Sequence, residues 1–258
     1  MTWEVMPLCA AQLLDVNPQD ILNNGLYRRC NTYKGGGGYD QFPGIYQKRN
    51  GYMEGLNNQF VVQLKGCPLD CPYCYVTRAG IWGNSQRVST EELLQAFKDS
   101  KCIVFHLMGG APALYVDSWH EILEGLNSGV FHSDLLLVEG EYKSETIHQL
   151  SAFKNTLYAI SIKGSTPEEF YINTHRKLNE QLFWRNLDVV VSQGLPFYFT
   201  YTGLSIDSIN SFSEKVVDRY QNPSLLDDQF SIELKHYKAL DSKERGDDSE
   251  YHRYVYST

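Results

Sequence analysis

The chain has 258 residues, 23 Lys and Arg against 31 Asp and Glu, and a net charge of −8. That length can bury one sizeable core, and the acidic balance excludes a broad, sequence-independent grip on nucleic acid, which requires a basic domain. No stretch approaches the ~20 apolar residues that span a bilayer, and six cysteines are too few for a disulfide scaffold.

The opening run Met1-Thr2-Trp3-Glu4-Val5 has no charged region followed by an apolar one, so no membrane partner and a cytoplasmic location are expected. Residues 1–58 precede the first strand-like run and are expected to be a helix-and-loop extension. Within them, residues 26–53 carry Arg28, Arg29, Lys34, Lys48 and Arg49 against Asp40 alone, interleaved with five tyrosines and the tetraglycine 35–38. Two readings stand. The segment is a lid meeting an anionic or aromatic substrate, or it packs its tyrosines on the main body. Tetraglycine here lacks the Gly-Lys-Ser/Thr of a phosphate loop.

The first strand is expected at 60–64, and directly after it comes Gly66-Cys67-Pro68-Leu69-Asp70-Cys71-Pro72-Tyr73-Cys74. This spacing lets the thiolates of Cys67, Cys71 and Cys74 converge on one inorganic core while supplying one ligand fewer than a closed metal site needs. A fourth ligand from a remote His or Cys would instead make a zinc or redox site. Arg78 follows in the same loop and is expected to be solvated.

Ser89 with Glu92 reads as a capping box, and the second strand is expected at 102–107. Cys102 and His106 there read as core residues. Met108-Gly109-Gly110-Ala111-Pro112 then marks a turn or a close backbone approach. Asp117 is expected to cap a helix whose Trp119, Ile122, Leu123 and Leu126 share one face. The third strand is expected at 135–138, with Glu139 at its end. A fourth at 157–162 ends in Ser161-Ile162-Lys163. Thr166-Pro167 with Glu169 starts a helix, and Gly194 closes the one carrying Phe183, Leu187, Val190 and Val191. A fifth strand at 197–201 ends in Thr200-Tyr201-Thr202, and a sixth is expected at 230–234. The acid-rich residues 241–258 read as a solvated tail.

Strands alternating with helices give a parallel sheet covered by helices. Six units are too few for a closed eight-stranded barrel, so the expected fold is α/β, a partial (β/α)6 TIM-like barrel over residues 59–240 with an N-terminal extension or lid over 1–58. In such folds the loops at the C-terminal strand ends build the site, and the cysteines lie there.

The triplet, with Tyr73 as the aromatic residue before its last cysteine, resembles the Cys-x-x-x-Cys-x-aromatic-Cys signature of the radical S-adenosylmethionine (radical SAM) superfamily. The resemblance covers residues 59–235 and implies that Cys67, Cys71 and Cys74 hold a [4Fe-4S] cluster whose open iron chelates SAM. It implies reductive SAM cleavage to a 5'-deoxyadenosyl radical that abstracts a hydrogen atom from a peptide, nucleoside or natural-product precursor. Gly109 and Gly110 resemble the family's Gly-Gly-Glu-Pro segment at the methionine amino group, with Ala111 in place of Glu. Lys163 is similar to the lysine that holds the SAM carboxylate in activating enzymes of glycyl radical enzymes, where Ser161 replaces an Asp. Glu139 would meet the ribose, Tyr73 the adenine, and Thr200 the cofactor. An external donor of flavodoxin or ferredoxin type is implied. Two alternatives stand: an activating enzyme acting on a partner protein's glycine, and a non-catalytic iron-sulfur or zinc protein.

Overall fold

The computed structural model describes residues 1–6, 21–23, 25–30, 42–74, 76 and 78–232. Cys9, the tetraglycine, Tyr75 and the polar tail 241–258 lie outside the described residues.

Ten strands are named in chain order: β1 Thr2–Val5, β2 Ile21–Asn23, β3 Leu26–Cys30, β4 Asn58–Gln63, β5 Gln86–Ser89, β6 Val104–Met108, β7 Val130–Leu135, β8 Thr156–Ile162, β9 Phe197–Thr202 and β10 Gln229–Ile232. Among the described residues, eight α-helices accompany them: α1 Phe42–Asn50, α2 Arg78–Trp82, α3 Thr90–Ser100, α4 Trp119–Gly125, α5 Ser144–Ser151, α6 Pro167–Thr174, α7 Glu180–Ser192 and α8 Ile206–Tyr220. Eight strands form one sheet in the order β10-β9-β8-β7-β6-β4-β3-β2, and β1 pairs separately with β5. The six strands from β4 to β10 in this sheet run parallel, which is the expected partial barrel, and no closed barrel forms among the described residues.

Period-two alternation sorts the strand residues between two cores. Phe105, Leu107, Phe131, Tyr158, Ile160 and Phe199 point out to the helices and meet Phe97, Trp119, Leu187 and Phe212. Val104, Val130, Leu157 and Tyr198 point in, at the N-terminal end of the sheet, where they pack on Phe42 and Tyr46 of α1 and on Leu56. Phe42 is fully buried and its ring stacks on His132 with centroids 4.2 Å apart. Helix α1 therefore plugs the bottom of the barrel.

The N-terminal segment differs from the helix-and-loop expectation, since β3 and β2 continue the sheet antiparallel to β4. Lys48 and Arg49, part of the basic stretch, reach Asp228 at 2.8 and 2.6 Å. Tyr27 and Tyr46 are buried, whereas Tyr52 is exposed. Lys48, Arg49, Tyr27 and Tyr46 thus lie against the body.

Three local expectations need correction. The third parallel strand is β7, ending at Leu135, and the more apolar 136–138 is loop. The loop is stable because the buried Asn186 amide donates to the Leu137 and Gly140 carbonyls, while the Tyr142 hydroxyl donates to Leu136. Asp117 does not cap α4, since its carboxylate accepts from Lys143 and Thr146 instead. The sixth strand is described only to Ile232. One capping box holds, with Ser89 accepting from the Glu92 amide and the Glu92 carboxylate from the Ser89 amide; at Thr166 only the cap forms, its side chain accepting from the Glu169 amide while the Glu169 carboxylate accepts from the Ser165 amide.

Burial raises the Asp228 carboxyl, but the two cations facing it outweigh that and hold it below the ordinary range. A depressed folded value adds stability above the unfolded pKa and loses it as pH falls through the folded one. Asp228→Asn should cost about 1–3 kcal/mol in urea unfolding at pH 7. The gap from wild type should close in acid, below the ordinary carboxylate range.

Candidate active site

The loops at the C-terminal ends of the parallel strands surround a cavity of about 280 Å³. Cys67, Cys71, Cys74 and Tyr73 line it from the loop after β4, Gly109 and Gly110 from the end of β6, Ser161 and Lys163 from β8, and Thr200 and Thr202 from β9. One cavity thus gathers all but one of the site residues expected from sequence. Glu139 is the exception. It is exposed and does not line the cavity, because β7 ends four residues before it and the loop 136–142 carries it outward.

The cysteine loop is anchored at its base by backbone. Gly66, at φ +93°, donates its amide to the Ile81 carbonyl at 2.8 Å and accepts from the Ala111 amide at 2.6 Å. Gly109 and Gly110 both adopt left-handed backbone, at φ +76° and +58°. A Cβ on Gly110 would lie 2.4 Å from the Gly66 carbonyl oxygen and 2.6 Å from that of Leu64; one on Gly109 would lie 2.7 Å from the Gln63 side chain. The glycine pair is thus required by the chain's own fold, where the segment leaving β6 passes the cysteine loop.

The three cysteines are half-buried residues. Burial pushes the Cys67 thiol well above its ordinary range, and the charges of Cys71 and Cys74 push it further, against the Leu69 amide and Lys163. A thiol so placed resists ionisation, and a cationic core that takes the place of its proton suits this donor set. Among the described residues, no group of three or more His, Cys, Asp or Glu side chains, the cysteine trio included, stands preformed to hold a metal ion.

Lys163 stands at the mouth end of β8. Its ammonium lies 5.4 Å from the centroid of the Tyr73 ring and 3.5 Å from the Thr202 hydroxyl. The Tyr73 ring therefore meets a cation as well as the cavity.

Sequence reasoning missed the polar lining residues His132, Asp134 and Tyr198; Arg29 and Met108, named there only within the basic stretch and the glycine motif, line the cavity too. Arg29, on β3, donates to the Met108 sulfur at 3.2 Å. His132 and Asp134 follow Val130 at alternate positions on the inward face of β7, a signal hidden by placing that strand five residues late. His106, read as a core residue, is 3% exposed and bonds through Nδ1 to Gln59, yet it also lines the cavity. Its ring lies 4.2 Å from that of His132, whose Nε2 meets the Tyr198 hydroxyl at 3.0 Å.

The glycine packing is testable by thermal unfolding. Gly110→Ala should destabilise the protein by about 1–3 kcal/mol or more, through both left-handed backbone and collision. Gly140→Ala, with φ +70° but open space around it, should lose only about 1 kcal/mol. Equal losses would deny the tight approach.

A family model described as the radical SAM superfamily matches residues 61–215. No curated protein sequence matches the chain. Among solved structures, SuiB from Streptococcus suis bound to its precursor peptide SuiA has a TM-score of 0.52 at 12% identity, over 74% of this chain and 42% of that one. QueE from Escherichia coli has a TM-score of 0.40 at 14% identity, over 62% of this chain and 69% of that one. The chain spans less than half the length of the SuiB chain it matches. The SuiB likeness speaks for the shared fold. With the family model covering more than half of its length, the chain belongs to the radical SAM superfamily of enzymes, whose cofactors are a [4Fe-4S] cluster and SAM.

Proposed function

We propose that this protein is a radical SAM enzyme that abstracts a hydrogen atom from a peptide, nucleoside or natural-product precursor, with Cys67, Cys71 and Cys74 as the cluster ligands. The observation that carries this reading is the meeting of the thiol trio, the Gly109-Gly110 turn and Lys163 on one cavity wall. When bound, the cluster and SAM supply the chemistry: an electron from an external donor of flavodoxin or ferredoxin type splits SAM to methionine and a 5'-deoxyadenosyl radical.

The chain's own residues bind, orient and exclude water. Lys163 offers a positive charge to the SAM carboxylate, steadied by the Thr202 hydroxyl. Gly109 and Gly110, which carry no side chain at the turn, present backbone polar groups to the SAM amino group. Ser161 and Thr200 add hydroxyls along the wall, and Tyr73 a ring for the adenine. Asp134 takes the role first read for Glu139, since it is the carboxylate that lines the cavity. Phe42 and Tyr46 seal the bottom, so solvent enters from the mouth. Reduced thiols and a cluster fit a cytoplasmic setting. The boundaries 59–240 for the barrel and 1–58 for the extension belong to the same reading.

Two experiments test it. The anaerobically reconstituted protein should hold about four irons and release 5'-deoxyadenosine on reduction with SAM. Cys71→Ala should lose both, and tight stoichiometric zinc without SAM turnover would speak for the rival metal protein. Lys163→Met should keep its iron and weaken SAM binding about tenfold or more, since a charge-assisted contact is worth about 1.5–3 kcal/mol. Unchanged affinity would remove Lys163 from the site.

A further inference from the structure

Helix α6 touches both halves of the cavity wall without lining it at the thiols. Its N-terminal half lies against the turn after β8, where a Cβ on Gly164 would sit 2.3 Å from the Phe170 amide nitrogen. At its C-terminal end the buried Asn173 side chain donates to the Lys163 carbonyl at 2.8 Å. The next residues face the cysteine loop. The Thr174 carbonyl accepts from the Asp70 amide at 3.0 Å, and Arg176 Nε donates to the Pro68 carbonyl at 3.0 Å, across 108 residues of sequence.

The turn between these contacts is itself held. His175 ends the helix in left-handed backbone, at φ +51°, which folds the chain back onto the loop. The Thr174 hydroxyl donates to the Phe170 carbonyl at 2.6 Å and accepts from the Arg176 amide at 3.3 Å. On the loop side, the Asp70 carboxylate takes Arg78 Nη2 at 2.7 Å through one oxygen and lies 3.8 Å from His175 Nδ1 through the other. Both members of the Asp70–Arg78 pair are mostly buried, so solvent screens it less than a surface pair.

None of these contacts uses a thiol or the Lys163 ammonium. Those that cross between the elements grip peptide groups, at Lys163 on one side and at Pro68 and Asp70 on the other, so this helix and the turn after it tie the cysteine loop to the lysine segment. We propose that the end of α6 and the turn after it, residues 173–176, and Asp70 form a positioning clamp that fixes the cysteine loop relative to Lys163 and thereby aligns SAM against the cluster; this rests on the cofactor assignments proposed above. Misplacement by a fraction of an ångström weakens a contact made at both ends of one ligand.

The test compares wild type, Asp70→Asn, Arg176→Gln and the conservative Arg176→Lys after anaerobic reconstitution with iron and sulfide. Four quantities are read: iron content, the unfolding midpoint of the apoprotein, the SAM dissociation constant by equilibrium dialysis, and the EPR spectrum of the reduced cluster with and without SAM. The clamp predicts wild-type iron content and unfolding midpoint in Arg176→Gln, a SAM dissociation constant raised about tenfold, and a diminished SAM-induced change in the EPR spectrum. Asp70→Asn should move SAM binding and the spectrum in the same direction, and Arg176→Lys should recover most of the loss. SAM binding within about twofold of wild type with an unchanged spectrum in Arg176→Gln and Asp70→Asn would overturn the clamp, as would loss of iron from both, which would make these residues supports of the ligand loop itself. Failure of the wild type to take up iron, or to change its spectrum with SAM, would instead overturn the cofactor assignments on which the clamp is built.

Discussion

The approach of two backbones, at Gly66 and at Gly110, is the constraint on which the site depends. Strands β4 and β6 are parallel neighbours, and the segments leaving them cross so closely that no Cβ fits at Gly110. The Ala111 amide closes the crossing with a bond to the Gly66 carbonyl. Three cysteines at close spacing could fold many ways, but this contact sets their loop over the C-terminal ends of the strands. The same left-handed glycines leave backbone open to the cavity, so packing and ligand access are served by one pair of residues.

The barrel interior changes character along its length. At the N-terminal end Val104, Val130 and Leu157 meet the α1 plug in an apolar layer. Higher up, His106 and His132 come into register with Leu157, then Asp134 with Ala159 and Tyr198, then Ser161 with Thr200, with Lys163 and Thr202 at the rim. Each parallel strand contributes by strict alternation, so the outward residues can remain apolar under the helices while the inward ones turn polar. Stability is thus concentrated below and outside, and chemistry above and inside.

What could be read from sequence follows how local the cause is. The cysteine spacing is local, and so are the helix caps at Ser89 and Thr166, both of which form. Strands announced by compact apolar runs fall within a few residues of their places. The third strand was placed late because 136–138 is more apolar than Phe131-His132-Ser133-Asp134, and the Asn186 amide that stabilises the true loop comes from about fifty residues away. Glu139 fell with that shift, and His132 and Asp134 were hidden by it. The basic stretch was open between lid and packed segment because Lys48 and Arg49 find their acid in Asp228, near the far end of the described chain. Strand β3 was invisible for the same reason: its partner, β4, lies beyond α1.

The central claim is that three thiolates leave one iron for SAM. Electron-nuclear double resonance on the reduced, reconstituted protein with SAM carrying 15N in its amino group tests it most directly. A 15N coupling to the cluster, lost when the labelled ligand is replaced by unlabelled SAM, is the expected result. A cluster with no coupling to the label, under conditions where SAM is bound, would contradict the account.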